Sequence, residues 1–155
     1  MKYFKLIYLS VFFGIVSILA FFNIVYSYYL NLYLNLNTYI YTLIVSIFLA
    51  VLFYYTKSND EKKITIYEKI LTIIFGYFLL PLVISIPFYF SIYNLTFVNA
   101  FFESISGFTS TGFTIFDNIN HIDQSLILWR SATQWVGGLY FLFSIILLID
   151  IFDHS

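Results

Sequence analysis

The residues best suited to chemistry lie in one stretch, 101–114, which reads FFESISGFTSTGFT. A short apolar, helix-compatible segment there runs directly into hydroxyls and glycines inside a strongly hydrophobic chain. The membrane region holds no nucleophile–base pair, paired carboxylates or metal cluster, so an enzyme is the weakest reading. The pattern suits coordination of a dehydrated cation by oxygen atoms. Non-helical backbone at membrane depth is tolerated only where it is buried in protein or lines a watery cavity. Carbonyls of such a break can replace the water around an ion. Gly112 permits a backbone conformation closed to residues with a Cβ, and Thr109, Thr111 and Thr114 offer hydroxyls as extra oxygen ligands. A Ser/Thr/Gly cluster between apolar runs is also the composition of an ordinary loop, so the flanking chain must decide.

Two charged residues stand close to this stretch. Glu103 falls inside the short segment, where a carboxylate is costly unless paired, water-exposed or near a permeating cation. It reads either as a structural hydrogen-bonding group behind the loop or as an electrostatic element. Arg130 reads either as an interfacial anchor that snorkels to the headgroups or as the ion-pair partner that steadies the loop. Downstream, His121 and Asp123 are two potential metal ligands without a third, a weak site. Asp117 and Asp123 could draw cations to a pore mouth or simply be solvated.

The elements that must position these groups are membrane helices. The chain has 155 residues, 61% hydrophobic and 10% charged, with a mean hydropathy of +0.91, which excludes a soluble globular domain. Aromatic residues reach 24%, tolerable against acyl chains or neighbouring helices. There is no cysteine, hence no disulfide or thiolate site. A net charge of -1 without an extended basic patch argues against a nucleic-acid partner.

The first apolar run, Leu6 to Leu30, is long enough to cross a hydrocarbon core of about 30 Å. Its length and even greasiness favour a spanning helix over a signal peptide cleaved near Val25–Ser27. Asn31 to Thr38 suits a turn, and Tyr39 to Tyr55 a second span with Tyr54 and Tyr55 at the headgroups. The lysine-rich segment 57–69 reads as a cytoplasmic basic loop, which with Lys2 and Lys5 puts the N-terminus in the cytoplasm. Its lysines could also bind anionic lipid. A third run, Ile70 to Ile92, contains Pro81 and Pro87, whose freed carbonyls call for a protein neighbour. Asn94 and Thr96 form a sequon too close to the membrane edge to be used. Thr96 to Ser106 is too short to span and reads as a re-entrant helix capped by Thr96, its partially negative end aimed at mid-membrane. The last run, Leu126 to Ile149, is the fourth crossing. There Trp129 and Trp135 suit the interface, and Gly137 and Gly138 permit close helix approach.

Taken together, helix, re-entrant helix, Thr–Gly loop and helix resemble the first pore repeat of the Trk/Ktr/HKT superfamily of potassium transporters, specifically a Trk-type membrane subunit. The matching residues are 102–114, FESISGFTSTGFT, with Trp129, Arg130, Ser131, Gln134, Trp135, Gly137 and Gly138. The two additional leading helices point to the Trk branch. The resemblance implies a potassium pathway of four such repeats around a pseudo-fourfold axis, in a bacterial plasma (inner) membrane. It makes Gly112 the filter glycine, with Thr109, Ser110, Thr111 and Phe113 supplying or positioning carbonyls, potassium held through Thr111 and Gly112, and Glu103 and Arg130 as support. It further implies dimers and a cytoplasmic nucleotide-binding regulatory subunit, with K+ as the transported ion and no covalent cofactor.

The expected fold is therefore an all-α membrane protein. A transmembrane hairpin over 1–56 and a basic loop over 57–69 precede a membrane-pore-membrane repeat over 70–150, with its pore helix at about 96–106 and filter at about 107–114. The chain offers one loop where the family uses four, and one loop cannot surround an ion. The expectation is a fragment needing the remaining repeats, with a homotetramer of copies or a non-conducting assembly protein as alternatives.

Overall fold

A computed structural model describes residues 7–55, 66–118 and 122–152. In it the chain forms α1 (Ile7–Tyr29), α2 (Leu36–Tyr55), α3 (Ile66–Ile84), α4 (Ile86–Tyr89), α5 (Phe97–Phe108) and α6 (Gln124–Phe152), with no strand among the described residues. Four stretches are long and apolar enough to cross a membrane: Tyr8–Tyr29, Leu36–Tyr55, Ile66–Tyr89 and Gln124–Ile149. This is an all-α membrane protein. The 12-residue α5 is about 18 Å long at 1.5 Å per residue, well short of the core thickness.

Several boundaries differ from the sequence expectation. α3 starts at Ile66 rather than 70, so Glu68 and Lys69 belong to the helix. The long stem of Lys69 lets a charged residue lie along an apolar helix end. The rest of the basic loop, 57–65, falls outside the described residues. α2 begins at Leu36, because Asn31 already turns the chain: at φ 58° it takes the left-handed conformation that asparagine tolerates. Leu32 N–H then donates to the Ser27 carbonyl at 2.8 Å and Asn31 N–H to that of Tyr28 at 3.3 Å. These bonds satisfy carbonyls that a helix C-terminus otherwise leaves open.

The proline-bearing span bends at Ser85, between α3 and α4. Neighbouring helices take up carbonyls at this bend, as a lipid environment demands. Trp129 Nε1 of α6 donates to the Ile84 carbonyl at 3.1 Å, and Ser104 Oγ of α5 donates to that of Pro81 at 2.7 Å. Trp129 is accordingly buried, 1% exposed, and is not an interface residue, whereas Trp135 is 60% exposed.

α1 and α2 pack antiparallel over most of their length, tied by Ser10 Oγ to the Ala50 carbonyl at 2.7 Å. α6 lies against α1, α3 and α5, and α5 is held by α3, α4 and α6. One apolar core runs through all of them, from Phe13 and Val16 through Leu80 and Phe88 to Phe108, Trp129 and Tyr140. Gly76 is the notch that receives Tyr140: an added Cβ would overlap the phenol. The Tyr140 hydroxyl donates there to the Thr72 carbonyl at 2.9 Å. Replacing Trp129 by Phe keeps an aromatic ring but orphans the Ile84 carbonyl, so Trp129→Phe is expected to destabilise the purified protein by about 1–3 kcal/mol. Trp135→Phe should leave the melting temperature in detergent unchanged.

Candidate functional site

α5 is a strongly one-sided helix whose buried face carries Ala100, Glu103, Ser104, Gly107 and Phe108. Thr96 opens it by accepting from the Asn99 N–H at 3.3 Å. The far end decides where the loop begins. Gly107 and Phe108, expected in the loop, are still helical, because Phe108 is core and Gly107 fits closely against Thr133. The helix stops when Ser110 turns left-handed at φ 55°. Thr111 N–H then reaches back to the Ser106 carbonyl at 3.0 Å and Ser110 N–H to that of Gly107 at 2.9 Å. This is the same C-terminal motif as at α1, here built on a serine. Gly112 follows at φ 84°, with nothing within 4 Å of where a Cβ would sit. The demand for glycine there is torsional rather than steric.

Glu103 sits behind the loop, 0% exposed. Its Oε1 accepts from Thr114 Oγ1 at 2.7 Å and from the Ile115 N–H at 2.6 Å. Its Oε2 faces Arg130 Nη1 at 3.4 Å, an ion pair without hydrogen-bond geometry. Arg130 turns its other amino group to the loop, donating from Nη2 to the Phe113 carbonyl at 3.0 Å and more weakly to that of Gly112 at 3.3 Å. Ser106 Oγ donates to the same Phe113 carbonyl at 2.7 Å. Arg130 is therefore packed against the loop rather than extended to an interface, with 9% exposure. A guanidinium suits this place because its planar fork can address a carboxylate and two carbonyls together.

The structure thus brings Glu103, Arg130, Gly112 and Phe113 together. It sorts the loop oxygens into two sets. The carbonyls of Gly112 and Phe113 face Arg130, whereas those of Thr109, Ser110 and Thr111 carry no hydrogen bond from the described residues. Residues 109–113 are exposed. Thr109 Oγ1 donates to the Ile105 carbonyl at 2.8 Å, so in its 2.7 Å contact with Thr111 Oγ1 the latter is the donor. Thr114 departs from the expectation of three hydroxyl ligands. Its hydroxyl donates to Glu103 and accepts from the Phe116 N–H at 3.2 Å, so it faces the protein. Beneath the loop a cavity of about 420 Å³ lies between Tyr77, residues 108–110, and Gly137, Gly138 and Phe141 of α6.

Asp123 is likewise not simply solvated. It heads α6, with Oδ1 accepting from the Ser125 N–H at 3.3 Å and Oδ2 from Ser125 Oγ at 2.9 Å. His121 lies outside the described residues, and among these no group of three His, Cys, Asp or Glu side chains could hold a metal ion. Sequence reasoning overlooked Ser104, Ser106 and the inward turn of Thr114. A serine on the buried face of an apolar helix is the signal available, since such a hydroxyl must find a partner.

Comparison with known proteins gives a consistent result. The family model of TrkH, cation transport protein, matches residues 34–152. An uncharacterized cation transporter of Methanocaldococcus jannaschii is 29% identical over 126 residues, covering 81% of this chain and 26% of the relative. The Trk system potassium uptake protein TrkI of Halomonas elongata is 43% identical over 60 residues, 39% of this chain and 11% of that protein. The Trk system potassium uptake protein TrkH of Escherichia coli is 29% identical over 99 residues, 63% and 20% of the two chains. The chain thus spans about a quarter or less of the length of these relatives. No solved structure gives a significant match.

Three substitutions test the geometry. Arg130→Met strands Glu103 and is expected to cost about 3–5 kcal/mol, as removing one partner of a buried pair does. Adding Glu103→Gln should recover part of that, because the amide oxygen still accepts from Thr114 and Ile115; thermal melts in detergent read both. In Gly137→Ala the new methyl would land on the Phe108 carbonyl, so the loop end of α5 should shift and the melting temperature fall.

Proposed function

Because the chain belongs to the TrkH family of cation transport proteins, we propose that residues 109–113 form one quarter of a potassium-selective filter. The observation that carries the reading is the state of the loop oxygens. Three successive carbonyls, of Thr109, Ser110 and Thr111, receive no donor from the described residues in an exposed loop between two spanning helices. In hydrocarbon such groups need a substitute for water, and a cation supplies it. Thr111 and Gly112 are the residues assigned to the potassium ion. Gly112 contributes its torsion, and Phe113, its carbonyl tied back by Arg130 and Ser106, holds the loop's register. Glu103 and Arg130 neutralise one another behind the filter, so the pair stiffens the loop without presenting a fixed charge to the ion.

One loop covers one side of an ion. The remaining ligands come from further repeats or from further copies of this chain, and the cavity beneath residues 108–110 forms part of the path below the filter. The names of the relatives TrkI and TrkH, Trk system potassium uptake proteins, support potassium as the cargo and membership of a system with several components. A cytoplasmic nucleotide-binding regulatory subunit is the expected soluble partner by family resemblance. The protein is assigned to the bacterial inner membrane with its N-terminus in the cytoplasm, so that α5 enters from the outer side with its negative end inward.

Potassium uptake in a transport-deficient host, with the complete pore present, tests the assignment. Gly112→Val should abolish uptake at wild-type levels of membrane protein, since a β-branched residue at positive φ is strained by roughly 1–3 kcal/mol or displaces the carbonyls. Undiminished uptake by that variant would refute the filter.

A further inference from the structure

Asn35 is the last residue before α2, the position from which an asparagine side chain ordinarily caps its own helix. Its side chain does not do so. Fully buried at 0% exposure, it reaches two segments distant in sequence. Its Oδ1 accepts from the Ile92 N–H at 3.2 Å, and its Nδ2 donates to Asp123 Oδ2 at 2.8 Å. Ile92 lies between α4 and α5, and Asp123 immediately before α6, on the far side of the loop. These are the two shoulders from which the re-entrant segment hangs.

The contacts around Asn35 extend the joint. Asp123 N–H donates to the Tyr93 hydroxyl at 2.8 Å. The Tyr39 hydroxyl of α2 donates to Ser125 Oγ at 2.9 Å, since the Ser125 proton is given to Asp123. A carboxylate acceptor makes the Asn35 bond charge-assisted and hence among the stronger ones. The backbone bond to Ile92 fixes the amide's orientation, so the same side chain cannot slip on one shoulder without releasing the other.

We propose that Asn35 is a positioning residue for the pore loop: the N-terminal hairpin clamps the two shoulders through it and thereby sets the separation on which ion discrimination depends. The hairpin is then part of the selectivity apparatus and more than a membrane anchor. The discrimination half of this proposal rests on the filter reading of residues 109–113; the clamp itself does not.

The test uses the complete transporter. This chain has no cysteine; with any cysteine of the remaining repeats replaced, Val98→Cys and Asp117→Cys, both at exposed positions on either side of the loop, carry a pair of spin labels. Asn35→Asp sets two carboxylates against each other. It should broaden the label-to-label distance distribution and lower the potassium-to-sodium uptake ratio by about threefold or more, the scale of coupling between contacting residues. Adding Asp123→Asn reverses the polarity of the bond: the new carboxylate accepts from Ile92 and from the new amide, and both readouts should return toward wild type. Asn35→Asp with unchanged distances and an unchanged ion ratio would overturn the clamp, as would failure of the double variant to restore them. If distances respond while even the wild type conducts no potassium, the filter reading falls and the clamp stands.

Discussion

Hydrocarbon offers no hydrogen bonds, and the architecture of this protein follows from that deficiency. A helix can cross lipid because it satisfies its own backbone; a helix that stops halfway cannot. Here Glu103 and Arg130 supply partners to the backbone just past the end of α5. The carboxylate collects the amide of Ile115 and the hydroxyl of Thr114, while the guanidinium collects the carbonyls of Phe113 and Gly112. Each ion also screens the other's charge in a place where neither could stand alone. Both side chains are buried within the bundle.

The same constraint explains the bend between α3 and α4. Proline removes a donor and leaves a carbonyl exposed, which in lipid would be a defect. In this protein neighbouring helices dock on carbonyls close to the prolines: that of Ile84 accepts the indole N–H of Trp129, and that of Pro81 accepts the Ser104 hydroxyl beside its helical bond from the Ser85 N–H. The bend thus fastens both α6 and α5 to the same short stretch of α3. Glycines at 76 and 137 remove the bulk that would hold the helices apart. Packing and polar satisfaction are achieved by the same contacts.

The four spans were legible from hydropathy, because their residues are apolar on every side and their lengths match a bilayer. The start of α5 was legible through Thr96, a residue whose chemistry is local. Its end was not, since Ser110 rather than a glycine takes the left-handed turn and a serine announces nothing of the kind. Glu103 and Arg130 stand out by their rarity in an apolar chain, yet residue type left two roles open for each. Trp129 was misplaced for a related reason: an indole suits a headgroup or a buried carbonyl equally well, and only the proline bend on another helix decides. Asn35 reads as an ordinary turn residue and Asp123 as a solvated acid or half of a weak metal site, because their partners lie far along the chain.

The pairing of Glu103 with Arg130 also imposes an order on biogenesis. The carboxylate leaves the ribosome before its guanidinium, and α6 must be handed to the membrane before the two can meet. Glu103 therefore gains its counter-ion only once α6 packs against α5, and the loop between them is fixed at both ends by that one meeting.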